Sequence, residues 1–165
     1  MNFTRLPSLK LAGRALRPIV QGGMGVGVSA HRLAGTVAAN NAVGTIASVD
    51  LRRHHPDLMA RTTNIDSRCA KSPIDAANLE ALDREISAAR RIAAGAGLLA
   101  VNVMRAVAEY AAYVRQACAS GIDAIVVGAG LPLDLPELTA DHPKVALVPI
   151  LSDARGIALV LKKWE

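Results

Sequence analysis

The stretch Arg17-Pro-Ile-Val-Gln-Gly-Gly-Met-Gly-Val-Gly-Val-Ser29 carries the strongest structural signal in the chain. Pro18 to Val20 reads as a short apolar strand running into a glycine-rich bend, and a helix opens at Ser29, a residue type suited to an N-cap. Gly22, Gly23, Gly25 and Gly27 have no side chain to pack, and each costs backbone entropy. Their use is to let backbone turn sharply or come close to another object. Strand, glycine bend and helix N-terminus together suit an anionic or flat cofactor. Two other readings compete with this one. Gly25-Val-Gly-Val-Ser-Ala30 fits the dinucleotide fingerprint G-x-G-x-x-G/A, with Asp50 near the end of the next strand, where a ribose-binding acid would stand. The third reading is a tight turn with no ligand.

Outward from this stretch the pattern repeats. Residues 1–16 form an opening segment whose Leu6, Leu9, Leu11 and Leu16 can cover one end of a core. A helix is expected from about Ser29 to Asn40 with Leu33 and Val37 on one face, then a β-branched strand over Val43–Val49. Residues 51–74 are poor in apolar side chains and read as a long connection, of a kind usually functional or mobile. From about Asp75 a helix carries Leu79, Leu82, Ile86, Ala89 and Ala93 on one face, and Gly95 can end it. Leu98–Met104 is the third strand, followed by a helix through Val107, Tyr110, Val114 and Ala117 that stops at Gly121. Ala124–Ala129 and Val145–Leu151 are the fourth and fifth strands, and a last helix opens at Ser152 or Asp153. Strands this apolar are buried on both faces, which makes an α/β fold with a parallel sheet and helices outside. An open doubly wound sheet and a (β/α) barrel both satisfy the pattern. In either, ligands bind at the C-terminal ends of the strands, so Gln21–Met24, Asp50, Asn102, Gly128–Pro132 and Ser152 fall on one rim.

Composition narrows the function classes. The 165 residues suffice for one domain, and at 52% hydrophobic but 2% aromatic the core must be Val, Ile, Leu and Ala. Few aromatics and a modest net charge of +5 argue against nucleic-acid binding. No apolar run is long enough to cross a membrane, the N-terminus lacks a signal-peptide pattern, and Cys69 and Cys118 form no C-x-x-C pair. A cytoplasmic setting with reduced thiols is expected. His54 and His55 are adjacent and point apart on any regular backbone, so no metal site is expected.

Leu6-Pro-Ser-Leu-Lys10, Pro18-Ile-Val-Gln-Gly-Gly-Met-Gly-Val-Gly27, Val101-Asn-Val-Met104, Gly121-Ile-Asp-Ala-Ile-Val-Val-Gly-Ala-Gly-Leu-Pro-Leu-Asp-Leu-Pro136 and Val148-Pro-Ile-Leu-Ser-Asp-Ala-Arg155 occur in this order along the chain. Together they resemble the nitronate monooxygenases, formerly called 2-nitropropane dioxygenases. The resemblance implies a TIM-type (β/α)₈ barrel with FMN at its C-terminal rim. It places Gln21, Gly22, Gly23 and Met24 against the flavin ring, Asn102 as a hydrogen-bond partner of FMN, and Gly128 in the same cavity. A flat ring would account for Gly22 and Gly23, which precede the dinucleotide fingerprint and play no part in it. The implied reaction oxidises an alkyl nitronate with O₂ to a carbonyl compound and nitrite. An FMN-dependent enoyl-thioester reductase, or a non-catalytic half-barrel acting by association, are the alternatives.

The resemblance also implies what the chain lacks. Family members are about twice as long, and the Gly-Gly-His segment that supplies their catalytic histidine has no counterpart here. None of His31, His54, His55 or His142 stands in such a context, so no catalytic residue is assigned and the chain is expected to be inactive on its own. Residues 1–165 then read as the N-terminal portion of a single FMN-binding barrel domain, with about five βα units and its C-terminal portion absent. Five strands cannot close a barrel, so open edges and self-association through them are expected. Arg52, Arg53, Arg61 and Arg68 read as solvated, or as steering an anionic nitronate to the rim.

Overall fold

The computed structural model describes residues 6–66 and 69–165. Its first element is a β-hairpin, β1 (Leu9–Leu11) and β2 (Arg14–Leu16), antiparallel with Leu9 opposite Leu16. Ile19 and Val20 then run beside the next strand. There follow α1 (His31–Ala39), β3 (Val43–Ala47), a 3₁₀ turn (Leu51–His54), α2 (Pro56–Thr63), α3 (Lys71–Ala93), β4 (Leu98–Met104), α4 (Tyr110–Ala119), β5 (Ala124–Gly128), α5 (Leu135–Leu138), β6 (Ala146–Pro149) and α6 (Ala154–Trp164). The four strands β3 to β6 form one parallel sheet in sequence order. That order is what consecutive βα units produce when every connection winds the same way.

Side-chain alternation gives the sheet two unlike faces. Ile46, Leu99, Val101, Val103, Ile125 and Val127 point to the helices and pack with Ala34, Ile86, Ala89 and Val114 in the main core. The opposite face starts with Val43, Leu98, Ala100 and Ala124, which pack with Leu16 while Leu9 and Leu11 lean on them. Val43, Leu98 and Ala124 are the first residues of their strands, and Ala100 lies two residues into β4. The hairpin therefore plugs the N-terminal end of the sheet through Leu9, Leu11 and Leu16, as expected of the opening segment, while Leu6 stays exposed.

Several local expectations needed correction. The strand over Pro18–Val20 is reduced to one parallel bridge, Val20 to Val43, flanked by Val43 N–H donating to Ile19 O at 3.0 Å and Gln21 N–H to Val43 O at 2.9 Å. Pro18 has no N–H to extend it, and the glycines turn the chain away beyond Gln21. Ser29 is not the cap of α1; Ala30 holds that position and offers no side-chain bond. The buried face of α1 is Ala34, Gly35 and Ala38, with Leu33 and Val37 at its margin. A carbonyl of α1 explains this choice: a Cβ on Gly44 of β3 would lie 1.9 Å from Ala34 O.

The described part of the 51–74 connection is ordered structure, not a bare loop. Leu51 and Leu58, both fully buried, anchor the 3₁₀ turn and α2 under α3. Pro56 stands at the first position of α2, where its missing N–H costs nothing. α3 begins at Lys71, four residues earlier than Asp75, since Pro73 falls within the tolerant first turn. It ends in a left-handed Ala94 just before Gly95. Arg68 lies outside the described residues.

Candidate functional site

The glycine bend closes on itself through Ser29. Its hydroxyl accepts from Met24 N–H at 2.9 Å and donates to Gly22 O at 3.1 Å, while Ser29 N–H donates to Met24 O at 3.0 Å. Ser29 is fully buried, and its own carbonyl accepts from Ala47 N–H at 2.9 Å. A serine expected to start a helix thus ties the bend to the end of β3. Gln21 does the same on the other side. Its side-chain Oε1 accepts from Thr45 N–H at 2.9 Å and its Nε2 donates to Thr45 O at 3.1 Å, so the amide acts as one more residue of the missing strand.

Each glycine of the bend meets something different. A Cβ on Gly23 would stand 2.5 Å from Asn102 Cβ, one on Gly25 would stand 2.9 Å from Val49 Cγ1, and one on Gly27 would stand 2.6 Å from His54 Nε2. At Gly23 the obstacle is fixed, whereas at Gly25 and Gly27 the Val49 and His54 side chains would have to move aside. Gly22 is the exception. It has no positive φ, and a Cβ there would meet no atom within 4 Å. Neither the fold nor the backbone conformation demands a glycine at that position, and the space before it is open.

Asn102 lies on the inward face of β4 one step before its last inward residue, Met104, paired with Ala47 on one side and Val126 on the other. Its carbonyl accepts from Ser48 N–H at 3.1 Å, while its side-chain amide makes no hydrogen bond to another described residue. The structure therefore brings Gly23 and Asn102, distant in sequence, into direct contact, with Gly22 and Met24 beside them. Gly128 is one strand farther along, level with Met104 and facing Ile150, whose Cδ1 would be 3.3 Å from a Cβ on it. Gln21 is in place, but its amide braces β3. Asp50 adopts a left-handed φ of 49° ahead of the 3₁₀ turn and pairs with Arg53 and, at 3.1 Å, with Arg52. Those contacts occupy it, and they remove Arg52 from any role as a free surface cation. Arg52 is mostly buried and also donates to Thr62 Oγ1 at 3.0 Å.

Val20, Met24, Val26 and Val28 are exposed on the bend, and Met104 and Ile150 are exposed at the same end of the sheet. A bare backbone with one open glycine, an uncommitted amide and an apolar margin fit a flat ring bearing polar edges. Met104 and Ile150 were legible from the alternation that carries Asn102 and Val148 to the same face, but only once the sheet register was known. Thr45, by contrast, gave no signal in the sequence, and Ser29 gave only that of a helix cap. No metal-binding cluster is found among the described residues. Of the four histidines only His54 reaches the bend, exposed and with its ring against Gly27. His31 and His55 lie at Glu85, and His142 is at the opposite end, beside Gly121 and Ile122.

Among solved structures the chain is similar to FabK from Thermotoga maritima, with a TM-score of 0.59 at 15% identity. The match covers 88% of this chain and 37% of that one, so the chain spans little more than a third of its neighbour's length. At this identity the likeness speaks for the fold. The architecture is α/β, an incomplete TIM-type (β/α) barrel. No curated protein matches the chain. No helix among the described residues is long and apolar enough to cross a membrane. The family model described as nitronate monooxygenase matches residues 10–165, nearly the whole chain including the bend and Asn102, and the chain belongs to that family.

Proposed function

We propose that this chain supplies the first-strand side of an FMN site in an oxidoreductase that converts alkyl nitronates and O₂ to carbonyl compounds and nitrite. The open face at Gly22, beside the uncommitted Asn102 amide, is the observation that carries the reading. Gly22, Gly23 and Met24 would lie along the ring, Asn102 would hydrogen-bond one of its polar edges, and Gln21 would hold the bend in place. Gly128 would line the cavity one strand away. When bound, the flavin supplies the electron-transfer chemistry; the protein orients the reactants and excludes water. Residues 1–165 are proposed as the N-terminal portion of a single FMN-binding barrel domain. With no histidine in a Gly-Gly-His segment, the chain alone should release no nitrite from a nitronate.

The test is a titration of FMN with the purified chain, followed by flavin fluorescence. Saturable quenching that weakens in Asn102→Ala is the expected result. Quenching of equal strength in Asn102→Ala and in a Gly22→Leu variant would remove the site from this rim. NAD(P)H consumption with an enoyl thioester would favour the reductase over the nitronate activity.

A further inference from the structure

Glu85 is the only acidic side chain fully buried among the described residues, at 1% exposure in the middle of α3. A carboxylate withdrawn from water is costly unless donors surround it. Here the donors come from His31, and a second segment brings His55 close without a hydrogen bond. Oε2 accepts from the His31 backbone N–H at 2.7 Å and stands 2.7 Å from His31 Nδ1, while Oε1 lies 3.2 Å from His55 Nε2. His31 is the first residue of α1, a helix whose own cap position, Ala30, offers no side chain. The cap is thus delivered from a different helix, with a negative charge at the positive end of α1.

Both partners of Glu85 flank the glycine bend. His31 follows Ser29, which closes the bend, by two residues. His55 follows His54, whose ring lies against the backbone of Gly27. One carboxylate in the helix layer therefore ties together the two walls between which the bend is formed. We infer that Glu85 is a positioning residue for the bend, acting through His31 and His55, and that its loss frees residues 22–31 without unfolding the sheet. This rests on the FMN reading only for its consequence in binding.

Glu85→Leu keeps the volume and removes the acceptor, and Glu85→Gln keeps an oxygen for the two donors of His31. Amide hydrogen exchange should accelerate on the order of tenfold across residues 22–31 in Glu85→Leu, as expected for a lost charged hydrogen bond. Exchange in β4 and β5 should not change. FMN affinity should fall by about the same factor, and Glu85→Gln should restore both readouts to within about twofold. If Glu85→Leu does not fold, Glu85→Asp, which withdraws the carboxylate by one methylene, takes its place. Acceleration spread equally over β4 and β5, an unchanged bend, a Gln variant no better than Leu, or faster exchange with unchanged FMN affinity would each overturn the assignment. If the parent chain binds no FMN, the cofactor reading fails, while the exchange measurement still decides the role of Glu85.

Discussion

Gly22 and Gly23 are neighbours with opposite reasons for being glycine. At Gly23 the reason is internal: a methyl would overlap Asn102 Cβ, which is backbone-fixed and cannot swing away. Gly23→Ala should therefore destabilise the chain by about 1–3 kcal/mol, the usual cost of overpacking, and displace Asn102. At Gly22 the space is open, so Gly22→Ala should leave the melting temperature within about 1 °C of the parent, in line with neutral surface changes. It should still weaken FMN binding. Thermal melts beside FMN titrations of the two variants check this; equal destabilisation by both would refute the distinction. The cysteines differ in the same residue-by-residue way. Cys69 is exposed, whereas burial pushes the Cys118 thiol up to about 11 and keeps it protonated at neutral pH. Alkylation of the folded chain followed by mass spectrometry should mark Cys69 alone, with Cys118 reacting only after denaturation.

At the scale of elements, α4 carries the main response to alkali. Burial, reinforced by Asp134, pushes Tyr110 up to about 12, and burial, reinforced by Glu109, does the same to Tyr113. In the unfolded chain both phenols ionise near 10. Below that value neither phenol loses its proton in either state, so their contribution to stability is fully present. As pH rises from 10 towards 12 the unfolded state loses protons first, and stability falls. Melting followed by circular dichroism should show that decline, with a smaller one in Tyr113→Phe; a flat profile above pH 10 would contradict it. α6 is a simpler case. Asp153 caps it by accepting from Gly156 N–H at 2.7 Å, so Asp153→Ala should cost about 1 kcal/mol in denaturant unfolding.

Across the whole molecule, one face of the sheet is covered by helices, and the other is plugged by the hairpin at one end only. Beyond the plug, Val20, Met104 and Ile150 stay exposed on the inward side, as do Ile157, Leu159 and Leu161 on α6. Apolar surface arranged this way, next to the β6 edge, which pairs with no further strand among the described residues, favours association. The chain should therefore sediment above its monomer mass of 17.2 kDa at micromolar concentration and bind a hydrophobic dye. A clean monomer that binds no dye would dispose of this. Much of this architecture could be read from residue order. Apolar runs of strand length separated by amphipathic helices dictate a parallel sheet whatever their neighbours are, and five motifs in order from Leu6 to Arg155 carried the resemblance to the family. Local pattern could not say which partner each polar group would find. Ser29 looks like a helix cap, and 51–74 looks like a loop. Long-range contacts overrode both readings, because a buried hydroxyl or carboxylate takes whichever donor the packed elements bring within about 3 Å. The contact of Gly23 with Asn102, the brace from Gln21 to Thr45 and the reach of Glu85 to His31 and His55 all join residues far apart in sequence, so only the folded chain could reveal them.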